Sequence, residues 1–197
     1  MNKTKTTLIS SCTILAGETT LIASCTAVDL SRTVQFSIVC DGTFNAATTD
    51  GLTVHLYPSD DNSTFDERYW FKYDIKPCVD VGYDAGTVEW MLGETVTAAS
   101  GGTGTVVGWS ISSGTFALNT AAGTIILENK SGTMANDDAL TGSVLGAATQ
   151  NGAVGNHAFQ HHSQPISPVP LYMKARVTNN GNQDVTGFTL AVTTMDV

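Results

Sequence analysis

Few residues of this chain are charged. Asp, Glu, Lys and Arg make up 14% of its 197 residues, and 18 acids against 9 bases leave a net charge of -9. The bases, Lys3, Lys5, Arg32, Arg68, Lys72, Lys76, Lys130, Lys174 and Arg176, are spread along the chain. No run of them builds a basic face for a polyanionic backbone, so nucleic acid is not an expected partner. No stretch approaches the roughly 18 apolar residues of a membrane helix, so a membrane is not expected either. Close C-x-x-C pairs are absent too, which excludes a zinc knuckle for Cys12, Cys25, Cys40 and Cys78. Cys40 ends the apolar run Phe36-Ser37-Ile38-Val39, where cysteine serves as a small hydrophobe. Disulfides among the four remain the alternative.

Catalytic signatures are missing as well. The run Gly101 to Gly108 has glycines, but no Gly-Lys-Ser/Thr follows it and no helix follows to receive a phosphate, so these are expected to be turn glycines. There is no Gly-x-Ser-x-Gly elbow, and Ser110 and Ser112 lie in a repetitive hairpin region. The acidic stretch Asp60 to Glu67 carries Phe65 where a calcium loop needs its turn glycine, and reads as a solvated turn. Asp66, Glu67 and Asp74 supply carboxylates without a separation that spacing can set. The expectation is a non-enzymatic protein with no catalytic residue and no cofactor.

At the N-terminus, Met1-Asn2-Lys3-Thr4-Lys5 imitates the start of a secretion signal, and Leu21-Ile22-Ala23-Ser24-Cys25 imitates a lipoprotein cleavage box. Gly17-Glu18-Thr19-Thr20 and several hydroxyl residues break the apolar region that either would need. Alternating Thr/Ser with Leu/Ile fits an entering β-strand better.

A period of two is what the chain does have. Val34, Phe36 and Ile38 form one buried row, Leu52, Val54 and Leu56 a second, and Leu171, Met173, Ala175 and Val177 a third. Tyr69, Phe71, Tyr73 and Ile75 point one way, and Trp70, Lys72, Asp74 and Lys76 the other. Asn179-Asn180-Gly181-Asn182, before Phe188, Leu190 and Val192, carries the Asn-Gly signal of a hairpin. Between these outer parts, Thr95-Thr97, Gly104-Trp109, Gly114-Leu118 and Gly123-Glu128 read as short strands separated by Gly/Ser turns. The predicted fold is all-β: a discontinuous antiparallel β-sandwich, jelly-roll-like, over 1-91 plus 147-197, with a small Gly/Thr-rich β-module inserted at 92-146.

Two binding features stand out. Trp70, on the face opposite Tyr69, Phe71 and Tyr73, is the best aromatic for recognition, either of a sugar ring or in a subunit contact. His157 and His161 would share one face if His157-Ala158-Phe159-Gln160-His161-His162 formed a helical turn, the i, i+4 geometry of a metal pair. Asn151 to Asn156 before them and Pro165 after them describe a linker instead, so they are weak metal candidates and an exposed loop is expected.

Gly93-Glu94-Thr95-Val96-Thr97, Ser100-Gly101-Gly102-Thr103-Gly104-Thr105-Val106-Val107 and the run Ser131-Gly132-Thr133-Met134-Ala135-Asn136-Asp137-Asp138-Ala139-Leu140-Thr141-Gly142-Ser143 together resemble small β-modules found repeatedly in tailed-bacteriophage virion proteins. Gly42 to Asp61, Phe65-Asp66 and the Tyr69 to Ile75 strand resemble β-sandwich accessory proteins of phage heads and tails, and Tyr172 to Asn180 resembles their penultimate strand. The resemblance implies a virion location and a structural role, foremost capsid decoration or stabilisation against the major capsid protein or other virion proteins. It also implies a homo-oligomer, with a trimer suited to local threefold positions; the polar, Lys-containing Met1 to Thr7 reads as an arm that orders on a neighbour. A tail or neck accessory protein and a carbohydrate-binding adsorption module are the alternatives.

Overall fold

The computed structural model describes residues 2–167 and 170–196. Its strands, in chain order, are β1 (Asn2–Ile14), β2 (Val28–Asp29), β3 (Thr33–Phe44), β4 (Leu52–Ser59), β5 (Phe71–Ile75), β6 (Cys78–Val88), β7 (Thr95–Ala98), β8 (Thr103–Ser113), β9 (Ala121–Ser131), β10 (Ala139–Gly142), β11 (Ala147–Gln150), β12 (Gly155–His162), β13 (Tyr172–Asn179) and β14 (Val185–Asp196). The fold is all-β with antiparallel sheets. Among the described residues the helical turns are single 3₁₀ turns at Ile22–Ser24 and Phe116–Leu118, and no helix is long and apolar enough to cross a membrane. The chain divides into two compact units: Met1–Thr43, Asp50–Ile75 and Ala158–Val197 in one, and Phe44–Thr49 with Lys76–His157 in the other.

In the first unit β1, β14, β3 and the part of β12 from Ala158 on are neighbours in that order, and β2, β13, β4 and β5 form a second sheet. Alternation sets which side chains are inside, since successive residues of a strand point to opposite faces. Phe36, Ile38 and Cys40 of β3 are buried with Phe188, Leu190 and Val192 of β14. In the second sheet Leu52, Val54 and Leu56 of β4 are buried with Met173, Ala175 and Val177 of β13. Two members of the expected rows are not. Val34 is 43% and Leu171 45% exposed, because each lies at or beyond the end of its strand, where the alternation no longer faces a partner layer.

Asn179-Asn180-Gly181-Asn182 is not the turn of a hairpin. β13 pairs with β2 and β4, whereas β14 pairs with β1 and β3, so the segment carries the chain from one sheet to another. A hairpin turn of that kind needs positive φ at its central residues, and neither Asn180 nor Gly181 has it. Asn179 shapes the corner instead. Fully buried, it accepts the Gly181 N–H on Oδ1 at 3.0 Å, an Asx turn, and donates Nδ2 to the carbonyls of Ile14 (3.1 Å) and Gln183 (2.8 Å).

The polar N-terminal segment is a strand as well: Asn2 to Thr7 pairs residue by residue with Asp196 to Ala191, while Met1 lies outside the described residues.

The second unit is a closed six-stranded barrel. β6, β11, β10, β7, β8 and β9 are neighbours in that order, and β9 returns to β6. Closure leaves no free edge, which suits strands rich in Thr and Gly with few charges to guard an edge. β6 makes it possible. Cys78 to Tyr83 pair with β9, a register shift follows between Tyr83 and Gly86 with Ala85 at φ 47°, and Tyr83 to Val88 pair with β11. Such a bulge bends a strand and increases its twist, so one stave serves both neighbours.

A barrel this narrow is filled by its own side chains, here Val79, Val81 and Tyr83 against Val96, Val106, Ile125, Leu127 and Leu140. The sequence puts the module's edges at 92 and 146, yet Cys78–Val88 and Ala147–Gln150 are staves too. Gly114-Leu118 is not a strand. It is a 3₁₀ turn opened by Gly114 at φ 69°, and it lays Phe116 against Tyr83 with ring centroids 6.2 Å apart.

Candidate functional site

The barrel buries one carboxylate. Glu94 is 3% exposed, and its two oxygens collect backbone donors from two separate loops. Oε1 accepts the Met91 N–H at 2.7 Å, and Oε2 accepts those of Val144 (3.2 Å), Leu145 (3.2 Å) and Gly146 (3.4 Å). Burial pushes its pKa up, but the N–H donors outweigh burial and hold it below the ordinary carboxylate range. Gly146 leaves the space for this arrangement, since a Cβ there would fall into the Trp90 ring and 2.7 Å from Glu94 Oε1.

One carboxylate thus ties the β6–β7 connection to the β10–β11 connection, and these two loops present apolar side chains to solvent. Met91, Leu92, Val144 and Leu145 are 46%, 71%, 58% and 59% exposed. Grouped apolar side chains in water are the ordinary mark of a contact surface. Loops already held in one conformation lose less freedom on docking than mobile ones. At the far end of β7 a second carboxylate works similarly: Asp138 accepts from the Ser100 hydroxyl and from the Ala135 N–H (2.8 Å), joining two turns, and those bonds lower its pKa.

Trp70 sits just before β5 and is half-buried, with its ring centroid 6.1 Å from that of Phe36 and 6.2 Å from that of Phe71. The aromatic that faces solvent there is Tyr69, 51% exposed and tilted against the His55 ring at 4.5 Å. His157 to His162 is neither a helical turn nor an exposed loop. It belongs to strand β12, and four residues along a strand span about 13 Å, too far for His157 and His161 to share an ion. His157 is largely buried, with Nδ1 2.7 Å from Asp80 Oδ1. Among the described residues no group of three or more His, Cys, Asp or Glu is placed to hold a metal ion.

The glycine run divides between structural duties: Gly101, at φ 92°, turns the chain between β7 and β8, and Gly104 lies against Leu127 within the barrel. Ser110 and Ser112 lie on β8. The Ser110 carbonyl accepts the Tyr83 hydroxyl, and the Ser112 hydroxyl bonds the Ala122 carbonyl. In the acidic stretch, Asp61 accepts from the Ser63 hydroxyl and from the Ser63 and Thr64 N–H groups, which lowers its pKa and occupies its oxygens within its own loop.

All four cysteines are free thiols, with Cys12 half-buried and the others buried. Burial, with Asp41 nearby, pushes Cys40 up to about 12, and burial with Glu128 and Asp80 pushes Cys78 up to about 11. A thiol-reactive disulfide reagent at about pH 8 should therefore modify Cys12 alone in the native protein and all four after denaturation. Rapid native reaction of two or more, or fewer than four after denaturation, would contradict this arrangement.

Sequence reasoning missed Glu94, because nothing in Gly93-Glu94-Thr95 separates a buried carboxylate from a solvated one. Comparison with family models, curated proteins and solved structures yields no match for this chain.

Proposed function

We propose that the chain is a non-enzymatic structural protein of a bacteriophage particle, a capsid decoration or stabilising protein that docks on the major capsid shell through the loops of its barrel. The observation that carries this reading is the set Met91, Leu92, Val144 and Leu145, held in solvent by the buried carboxylate of Glu94. A clamped apolar tip suits attachment to a repeating shell, where many modest contacts add through effective concentration. In this reading the first unit is a jelly-roll-like sandwich, its two sheets burying the rows of β14 and β13 in one core, and a homo-oligomer, foremost a trimer, multiplies the contacts.

The test is co-sedimentation of the purified protein with empty shells, wild type against the double substitution Val144→Asp, Leu145→Asp. Both side chains are exposed, so the variant should fold. Burying one aliphatic side chain is worth about 1.5–3 kcal/mol, so per-site affinity should fall by at least about 100-fold. Decoration equal to wild type would overturn the docking assignment. Electron microscopy that finds the protein on tail or neck, with shells bare, would replace capsid decoration by the accessory role.

A further inference from the structure

We propose that the outer face of the sheet β2, β13, β4 and β5 binds an acidic saccharide, a mono- or disaccharide unit that carries a carboxylate. This site lies wholly in the first unit and is independent of the docking role of the barrel.

The pairing of β13 with β4 sets Lys174 opposite Tyr57 and Arg176 opposite His55, and the pairing of β4 with β5 sets His55 opposite Lys72. Three of the scattered bases thereby meet on one face. Lys72 is paired with Asp74 at 2.9 Å. Among the described residues Lys174 and Arg176 have no carboxylate partner, although acids outnumber bases two to one in the chain. Rings hold them instead: Lys174 Nζ lies 4.9 Å from the centroid of Phe65, and Arg176 Cζ 5.5 Å from that of Tyr57. Arg176 Nε is buried and has no hydrogen-bond partner among the described residues. Two ring-held cations without a carboxylate partner are left for an anion, which would meet the exposed part of each side chain and not the buried Arg176 Nε.

A groove of about 390 Å³ opens over them, and the loop shaped by Asp61 brings Ser63, Asp66 and Glu67 to its lining. Donors and acceptors thus stand side by side. Vicinal sugar hydroxyls need that mixture, because each both donates and accepts, while the cations take the carboxylate. The carboxylates of Asp66 and Glu67 would repel a polyanion but accept from hydroxyls. An acidic peptide fits less well. Under the groove β4 is paired on both sides, and the far side of β13 is closed by β2 at Tyr172 and Met173 and by Cys25 and Thr20 at Ala175 and Val177, so their ladder groups are not free to add a peptide strand.

The experiment is titration calorimetry of the full chain with 3′-sialyllactose, a glucuronic-acid disaccharide, lactose and a hexaglutamate peptide. At least one acidic sugar should bind saturably, and lactose at least about tenfold more weakly. Lys174→Gln and Arg176→Gln should each weaken that binding by about tenfold or more, with folding checked by circular dichroism. Lys174→Gln removes the charge from a partly exposed side chain and carries the test alone should Arg176→Gln fail to fold. No saturable binding of either acidic sugar up to about 10 mM, binding unchanged by Lys174→Gln, or hexaglutamate binding as tightly as the sugars would each overturn the proposal. A preference between the two sugars identifies the acid as sialic or uronic.

Discussion

Replacing Glu94 by glutamine should destabilise the barrel by about 2–4 kcal/mol at neutral pH, read as an earlier midpoint in guanidinium denaturation. The substitution changes almost no volume. It replaces one carboxylate oxygen by an NH₂ group, and either choice of rotamer turns that donor toward a backbone N–H: Met91 on one side, or Val144, Leu145 and Gly146 on the other. Donor facing donor in a buried site loses the bond and leaves a desolvated N–H, which is the expensive case.

The pH dependence follows from the lowered pKa of Glu94 relative to its ordinary value of 4.5. A carboxyl group with a folded pKa below its unfolded one stabilises the protein above the unfolded value. That stability is lost as pH falls through the folded value. The gap between wild type and Glu94→Gln should therefore be fully open at neutral pH and narrow as pH falls below about 4.5. Equal midpoints at pH 7 would show that the clamp contributes nothing. Because the same carboxylate fixes both apolar loops, under the proposed docking role the variant should also bind shells less well than wild type.

Replacing Asn179 by alanine should cost the first unit about 2–4 kcal/mol. Its side chain satisfies the Gly181 N–H and the carbonyls of Ile14 and Gln183, and all of these lose their partner together while the site stays closed to water. Asn179→Asp should be worse at neutral pH despite its identical shape, since a carboxylate oxygen then faces carbonyl oxygens and a buried charge has no cation beside it. Acid should partly rescue the aspartate variant and leave the alanine variant unrescued. Thermal unfolding across pH 4 to 7 followed by circular dichroism measures both, and an alanine variant as stable as wild type would show that the corner is held by other bonds.

How much of this was legible before the structure varies by element. The period of two located β3, β4, β5, β13 and β14 and most of their inward faces, because alternation is a property of the strand itself. Its errors fell where strands end, at Val34 and Leu171, and where a local signal had two outcomes. Asn-Gly permits a hairpin without compelling one, and here the buried Asn179 side chain turned the chain to another sheet. Gly114-Leu118 has strand-forming residues, but Gly114 in the left-handed region starts a turn that packs Phe116 on Tyr83.

By itself the sequence determined an all-β antiparallel protein with turn glycines, few charges and a middle segment of distinct rhythm. These follow from local preferences that each residue carries wherever it sits. Tertiary structure alone decided that the middle segment closes into a barrel with staves taken from outside 92-146, since closure depends on which strand pairs with which. It alone buried Glu94, withdrew Trp70 onto Phe36, and set Arg176 beside His55 from a position more than a hundred residues away. Burial and charge proximity are properties of pairs distant in sequence, and no window along the chain contains both partners.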